Sequence, residues 1–154
     1  AIVSTWRENN FMIPSSTCPR QVNQQLRQQL TGMLFVYNAS QIGQQVELSD
    51  SDGDRLIGVI NEDGVFEAQE MVSESQGSCV VTLDIHHSVD LSRSPTTFRS
   101  EVGVSTRNCP NPITCSLVIT SRWTRTSPAF RARGEMRQGG SAIGSVGATM
   151  RSIL

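Results

Sequence analysis

The residue types that could do chemistry in this 154-residue chain are few, and an acidic turn comes first among them. Asp50, Asp52 and Asp54 alternate along the chain, as the first oxygen ligands of a calcium loop do. The sixth position of such a loop is Arg55 instead of Gly, and the twelfth is Asn61 instead of Glu. The three aspartates are therefore interpreted either as the tip of a β-hairpin or as ligands of a calcium ion. No other cofactor is expected.

The histidines, His86 and His87, are adjacent in a segment with the periodicity of a strand. Neighbouring side chains of a strand point to opposite faces, so the two are not expected to share a metal ion. His86 shares its face with Asp84 and Ser88, which are the residue types of a serine hydrolase triad. Because no Gly-x-Ser-x-Gly turn accompanies them, His86 is interpreted as a surface residue. The chain also lacks lysine, which excludes catalysis by a lysine amine. We predict no enzymatic activity.

The four cysteines are Cys18, Cys79, Cys109 and Cys115, and none is in a Cys-x-x-Cys spacing. An even number of cysteines without a zinc-ribbon pattern predicts two disulfides in a processed, secreted chain. Three connectivities are open. Residues 110–112, Pro-Asn-Pro, describe a tight loop, which favours pairing Cys109 with Cys115 and leaves Cys18 for Cys79.

All 13 basic residues are arginine, and charge is divided along the chain. Residues 1–91 hold 12 acids against 4 arginines, a net charge of −8, whereas residues 92–154 hold 9 arginines against 2 glutamates, a net charge of +7. This division predicts either that acidic and basic strands neutralise each other as neighbours, or that they form a dipolar surface for self-association or for an anionic partner such as a polysaccharide. The candidate basic surface patch consists of Arg99, Arg122, Arg131, Arg133 and Arg137. With little aromatic surface nearby, nucleic acid is not an expected partner.

One short helix is predicted near the N-terminus, with Thr17 as its cap and Gly32 at its end. Its apolar face consists of Val22, Leu26 and Leu30. The remaining pattern is that of strands, because apolar and polar residues alternate in short segments separated by Asp-Gly and similar turns. Eight strands are predicted, at about 33–37, 43–49, 54–60, 64–70, 79–91, 96–105, 115–124 and 129–137.

Sequential antiparallel strands with short connections predict an all-β, up-and-down β-barrel, with a two-sheet β-sandwich as the alternative. The strand order resembles that of lipocalin-like and avidin-like barrels, although the Gly-x-Trp of lipocalins falls on Gly32-Met33-Leu34 here. The expected organisation is an N-terminal arm at 1–17, one domain at 18–137 and a docked tail rich in Gly, Ser and Ala at 138–154. No membrane-spanning segment is expected.

Two functions follow as hypotheses. The first is a non-catalytic, secreted structural or adhesive subunit that self-associates, for example as an extracellular filament, because of the divided charge and the two segments outside the strands. The second is a lipocalin-like carrier that binds a small apolar ligand inside the barrel. The inward side chains of that candidate ligand cavity are Phe98, Trp123, Phe130 and Met136.

Overall fold

A computed structural model describes residues 2–126 together with residues 147, 149 and 150. Within residues 2–126, eight antiparallel strands and one helix form a closed barrel in which each strand pairs with its neighbours in sequence and the first pairs with the last. The up-and-down barrel is therefore confirmed, and the sandwich is wrong. The elements are β1 Ile2–Ser16, α1 Arg20–Leu30, β2 Phe35–Ile42, β3 Gln45–Ser49, β4 Arg55–Ile60, β5 Val65–Gln76, β6 Cys79–Asp90, β7 Thr96–Arg107 and β8 Thr114–Thr126.

The N-terminal segment corrects the predicted arm, because residues 2–16 form β1. This strand pairs with β2 on one side and with β8 on the other, and so closes the barrel. Its alternation is interrupted at Asn9 and Asn10, and its pairing with β8 has two register shifts between Asn9 and Ser15. The strand predicted at 129–137 lies outside the described residues.

The strands differ in length, and this difference shapes the barrel. The five long strands, β1 and β5 to β8, have 12 to 15 residues, whereas β2, β3 and β4 have 8, 5 and 6. As a result β2 pairs with β1 only from Ile2 to Glu8. On the other side β4 pairs with β5 only at Val59 and Ile60. The short strands therefore complete the wall over one half of the barrel's height.

In the other half, α1 packs against the inner face of the long strands. Its buried residues are Val22, Leu26 and Leu30, as the four-residue spacing predicts. Thr17 is not its cap, which corrects the prediction. The Thr17 hydroxyl instead accepts the backbone N–H of Ser116 at 2.9 Å, and this bond ties the start of the helix to β8.

The buried side chains form two clusters, one in each half of the barrel. The aliphatic half contains the buried face of α1 together with inward residues of the long strands, such as Val81, Leu83, Ile85, Val102, Val104, Leu117 and Ile119. The aromatic half is surrounded by all eight strands and includes Trp6, Phe66, Phe98 and Trp123. Of the tail, Met150 is fully buried in the aliphatic half.

Both disulfides lie at the aliphatic end of the barrel, and they correct the predicted pairing. Cys18 is bonded to Cys115, and Cys79 to Cys109. Cys109 and Cys115 do not pair because they flank the turn between β7 and β8, where each faces a different neighbour. Cys115, on β8, meets the start of α1, whereas Cys109 follows β7 and meets the first residue of β6.

Two disulfides are typical of chains that fold in an oxidising compartment. In the described part of the chain, no helix has the length and hydrophobicity needed to cross a membrane.

Candidate functional site

A cavity of about 460 Å³ lies inside the barrel where β4 and β5 separate. Its wall includes residues from both sides of this gap, among them Leu56 on β4 and Val72 on β5. Gly58 allows the two strands to approach closely before they separate, because a Cβ atom at this position would lie 2.2 Å from the backbone oxygen of Glu67. The gap results from strand length, since β5 continues past the end of its pairing with β4.

The polar part of the cavity wall comes from residues that interrupt apolar stripes. Inward positions of β6, β7 and β8 are almost all apolar, but each strand has one polar residue with apolar neighbours two positions away on both sides. We call this group, with its partners on the other strands, the polar cluster. It consists of Glu8, Tyr37, Glu70, His87, Ser100 and Ser121.

Glu8 is the most deeply buried acid of the polar cluster, with 3% of its surface exposed. Its Oε2 accepts two hydrogen bonds, from the Ser121 hydroxyl at 2.6 Å and from the Trp123 indole N–H at 3.0 Å. Its Oε1 is buried and has no hydrogen-bond partner among the described residues. A buried acceptor without a partner lowers the free energy of unfolding by about 1–3 kcal/mol. A ligand that donates a hydrogen bond to this oxygen would remove the penalty.

Burial raises the pKa of the Glu8 carboxyl, because removing the charged form from water is unfavourable. The hydrogen bonds from Ser121 and Trp123 and the nearby Tyr37 hydroxyl oppose part of this rise, and His87 has a smaller effect in the same direction. Among the described residues, no arginine acts on the pKa of this carboxyl, and none forms an ion pair with it.

Three aromatic rings stack beside this carboxyl. Trp123 lies between Tyr37, at a centroid distance of 5.0 Å, and Phe98, at 4.7 Å, and both contacts are nearly parallel. The Trp6 ring contacts Trp123 at 5.9 Å, and the Arg125 guanidinium lies over Trp6 at 4.9 Å. Stacked rings bury large apolar surfaces and hold each other in fixed orientations. The cavity therefore has a rigid aromatic wall.

The acidic side chains near this wall make the electrostatic potential there negative. The pKa of Tyr37 is raised well above its usual value, first by burial and then by the charges of Glu8, Asp50 and Glu70. A negative potential disfavours the formation of a phenolate, and it equally disfavours any anion placed there.

His87 connects two other members of the polar cluster. Its Nε2 lies 2.7 Å from Glu70 Oε2, and its Nδ1 lies 2.7 Å from the Ser100 hydroxyl. An ionised Glu70 can only accept, so Nε2 carries a proton and donates to it. Nδ1 then accepts from Ser100 when the ring is neutral. His87 also contacts Phe98, with the ring centroids 5.4 Å apart.

The triad-like residues share one face of β6, but no hydrogen bond joins them to one another among the described residues. Asp84, His86 and Ser88 point to the outside of β6, where Asp84 accepts a hydrogen bond from the Gln69 amide at 3.2 Å. The structure places the other histidine, His87, in the cavity wall with a serine and a glutamate from two neighbouring strands.

The acidic turn joins β3 to β4 as a hairpin tip. Asp50 Oδ1 accepts the backbone N–H groups of Asp52 at 2.9 Å and Asp54 at 3.0 Å. This carboxylate oxygen thus stabilises the turn itself, as is common for aspartate in turns. No group of three or more His, Cys, Asp or Glu side chains is arranged to hold a metal ion in the chain as far as it is described. The geometry therefore favours the hairpin tip over the calcium ligand set.

Two members of the predicted basic patch, Arg99 and Arg122, lie on the outer face of the adjacent strands β7 and β8. Arg99 is paired at 3.0 Å with Glu101 of the same strand, so this ion pair does not test whether acidic and basic strands neutralise each other as neighbours. The other three members, Arg131, Arg133 and Arg137, lie outside the described residues. A basic patch of five arginines stays a prediction.

Phe98 and Trp123, which the sequence placed in a candidate ligand cavity, do line the cavity. Phe130 and Met136 lie outside the described residues. Sequence reasoning missed Glu8, Tyr37 and the rest of the polar cluster. The signal that could have found part of it is the interruption of the stripes at His87, Ser100 and Ser121.

Comparisons with protein-family models, with curated proteins and with solved structures find no match to this chain.

Proposed function

We propose that this chain is a binding protein that carries one small ligand in the barrel cavity. The observation that carries the proposal is the cavity itself, about 460 Å³ in volume, with a stacked aromatic wall next to a buried, unpartnered carboxylate oxygen. Sites for small ligands are concave and mostly apolar, with a few convergent polar groups that orient the ligand.

The stability penalty of the polar cluster supports this proposal. The positions of Glu8, His87, Ser100 and Ser121 are inward positions at which apolar side chains would fill the barrel. An unpartnered oxygen and an open volume both lower stability. Departures of this kind from good packing are expected where a protein keeps a functional site.

Binding is favoured over catalysis by the strands around Ser100. A serine hydrolase needs backbone or side-chain donors for the oxyanion that forms during the reaction. β7 is paired on both sides from Phe98 to Ser105, so its N–H groups there are used within the sheet. The Ser100, His87 and Glu70 row is therefore better suited to orienting a bound molecule.

Self-association outside the cell is the second candidate function. It is motivated by exposed apolar side chains on the outer face of the short strands, Ile42, Ile57 and Val59. Exchange of an N-terminal arm is no longer part of this hypothesis, because β1 is paired on both edges in its own barrel. Sedimentation velocity at high protein concentration and low salt tests it. Oligomers that dissociate in an Ile57→Thr, Val59→Thr variant would support it, and a monomer throughout would exclude it.

The proposed location is outside the cell. Two disulfides cross-link the barrel, and such bonds persist in oxidising environments. Detection of the native protein in culture medium, with its disulfides oxidised, tests this location.

The binding function is tested with N-phenyl-1-naphthylamine, a neutral apolar probe whose fluorescence increases in apolar surroundings. We expect saturable binding with one site per chain, accompanied by quenching of tryptophan emission, because Trp123 lines the cavity. The variant Val72→Trp places a large side chain in the cavity wall and should weaken binding about tenfold or more. The matched control is Met71→Trp, on the outer face of the same strand, where the side chain is 70% exposed.

Equal probe affinity in Val72→Trp, Met71→Trp and the parent protein would overturn the proposed site. Absence of saturable binding to the parent protein would overturn the carrier function. Circular dichroism and thermal unfolding establish that both variants are folded. If Val72→Trp does not fold, Leu56→Trp, on the other side of the same gap, takes its place and should weaken binding in the same way.

A further inference from the structure

Resting on the proposed function, we infer that the ligand of this cavity is a small organic ammonium compound. Its N–H group donates to the unpartnered Oε1 of Glu8, and its apolar part packs against the stack of Tyr37, Trp123 and Phe98. Three separate observations support this chemical class of ligand.

The first observation is the missing donor at Glu8. This carboxyl lines the cavity, and only 3% of the Glu8 surface is exposed. Its Oε1 has no partner with hydrogen-bond geometry among the described residues. The Tyr37 hydroxyl also interacts with the carboxyl, but with a looser geometry than that of the two bonds to Oε2. Because Ser121 and Trp123 both donate to Oε2, the protein itself orients Oε1 as a free acceptor. A ligand that completes the site must therefore supply a donor.

The second observation is the sign of the charge around the cavity. Its wall includes the acids Glu8, Asp50, Asp54 and Glu70. The described cationic side chain in the wall is Arg55, which pairs at 3.2 Å with Glu47. A cation therefore enters a field that favours it, whereas a fatty acid or another anion is repelled.

The third observation is the aromatic wall next to the carboxyl. The Trp123 indole N–H donates to Glu8, so the edge of the stacked rings and the carboxylate form one continuous surface. A ligand with an ammonium group at one end and an apolar ring or chain at the other matches both parts. Ammonium groups are also attracted to aromatic faces. A neutral apolar ligand would use only the rings and leave Oε1 without a partner.

The test compares ligands of equal shape and different charge in displacing N-phenyl-1-naphthylamine. 2-Phenylethylamine and propylbenzene differ by an ammonium group in place of a methyl group, and 3-phenylpropionate carries a negative charge instead. We expect the amine to displace the probe at a concentration about tenfold lower than propylbenzene, because hydrogen bonds to a charged group are strong. The anion should be the weakest of the three.

The variant Glu8→Gln assigns the preference to this carboxyl. It should weaken binding of 2-phenylethylamine about tenfold relative to propylbenzene, with both ligands measured in the same variant. Glu67→Gln, which removes an exposed acid on the outer face of β5, is the matched control and should leave the order of the ligands intact. If Glu8→Gln does not fold, the order in which the three ligands displace the probe from the parent protein still tests the inference.

A dependence on pH provides a readout that a merely structural role would not give. Since the amine binds the ionised carboxyl, its affinity in the parent protein should increase as pH rises through the titration of Glu8, and this increase should be absent in Glu8→Gln. Propylbenzene should show no such increase in either protein. The other described titratable groups that face this part of the cavity are Tyr37 on β2, Asp50 at the β3–β4 turn, Glu70 on β5 and His87 on β6.

The two proposals fail in different ways. If the probe binds in the cavity but the amine and propylbenzene displace it equally, or if Glu8→Gln keeps the preference for the amine, the ammonium inference is wrong and the carrier function stands. If the probe and all three ligands fail to bind, the carrier function itself is wrong.

Discussion

The two halves of the barrel interior differ in how closely their side chains are packed. The aliphatic half is closed by α1, contains closely packed branched side chains and carries both disulfides at its end. The aromatic half borders a cavity, a buried carboxyl and a gap in the wall. The comparison indicates that stability is concentrated in one half, which allows the other half to keep unpaired groups and open space.

The largest effect is expected from the bond that joins α1 to the barrel. Replacing Cys18 and Cys115 by alanine removes a cross-link between residues 97 positions apart, and should lower the free energy of unfolding by about 4.7 kcal/mol. The shorter bridge, Cys79–Cys109 at 30 positions, should contribute about 3.5 kcal/mol on the same basis. Urea unfolding of both double variants measures the two values. A larger loss for the Cys79–Cys109 variant would contradict the dependence on loop length.

A somewhat smaller effect is expected from a cavity made in the aliphatic half. Leu26→Ala truncates a fully buried side chain of α1 and should lower the free energy of unfolding by about 3 kcal/mol. Probe affinity should remain that of the parent protein, because Leu26 does not line the ligand cavity. Urea unfolding and probe titration check the two statements. Loss of both stability and binding would show that the halves are coupled.

Gly58 tests the shape of the gap between β4 and β5. Gly58→Ala should lower the free energy of unfolding by about 1–3 kcal/mol and change probe binding, because the new Cβ meets the Glu67 backbone 2.2 Å away. Gly103→Ala, on β7, is the control, since its Cβ would lie 3.7 Å from the nearest atom and should leave stability unchanged or slightly raised. Thermal unfolding distinguishes them, and equal behaviour of the two variants would contradict the close approach.

The smallest effect concerns the charge of Glu8. In the folded protein its pKa is raised above the ordinary value of 4.5, so the unfolded chain loses this proton first as pH rises. The native state then binds more protons than the unfolded state, and the contribution of Glu8 to stability falls from that pH towards the folded pKa. Relative to the parent protein, Glu8→Gln should become more stable as pH increases, and Glu67→Gln should not. Parallel stability curves for the parent and Glu8→Gln would contradict the raised pKa.

Sequence patterns were sufficient for the parts of the fold that depend on neighbouring residues. The apolar face of α1 and the alternation in β6, β7 and β8 gave the helix and these three strands within a few residues. β5 was predicted at 64–70, but it continues to Gln76. The Asp50 turn followed from its residue types. β1 was missed because Asn9 and Asn10 interrupt its alternation. The site was predicted only at Phe98 and Trp123, since their apolar character marks them as inward.

By itself, the sequence determined an all-β chain with one amphipathic helix, four cysteines available for two disulfides, and inward stripes that give an up-and-down barrel. Those features depend on periods of two or four residues, which are local. The tertiary structure decided the partners of Cys18 and Cys79, the closure by β1 and the position of the cavity. These depend on strand lengths and on register between residues far apart in the chain. Glu8 is the clearest case: its carboxyl becomes a site only because β8 brings Ser121 and Trp123 to one of its oxygens and leaves the other unpartnered.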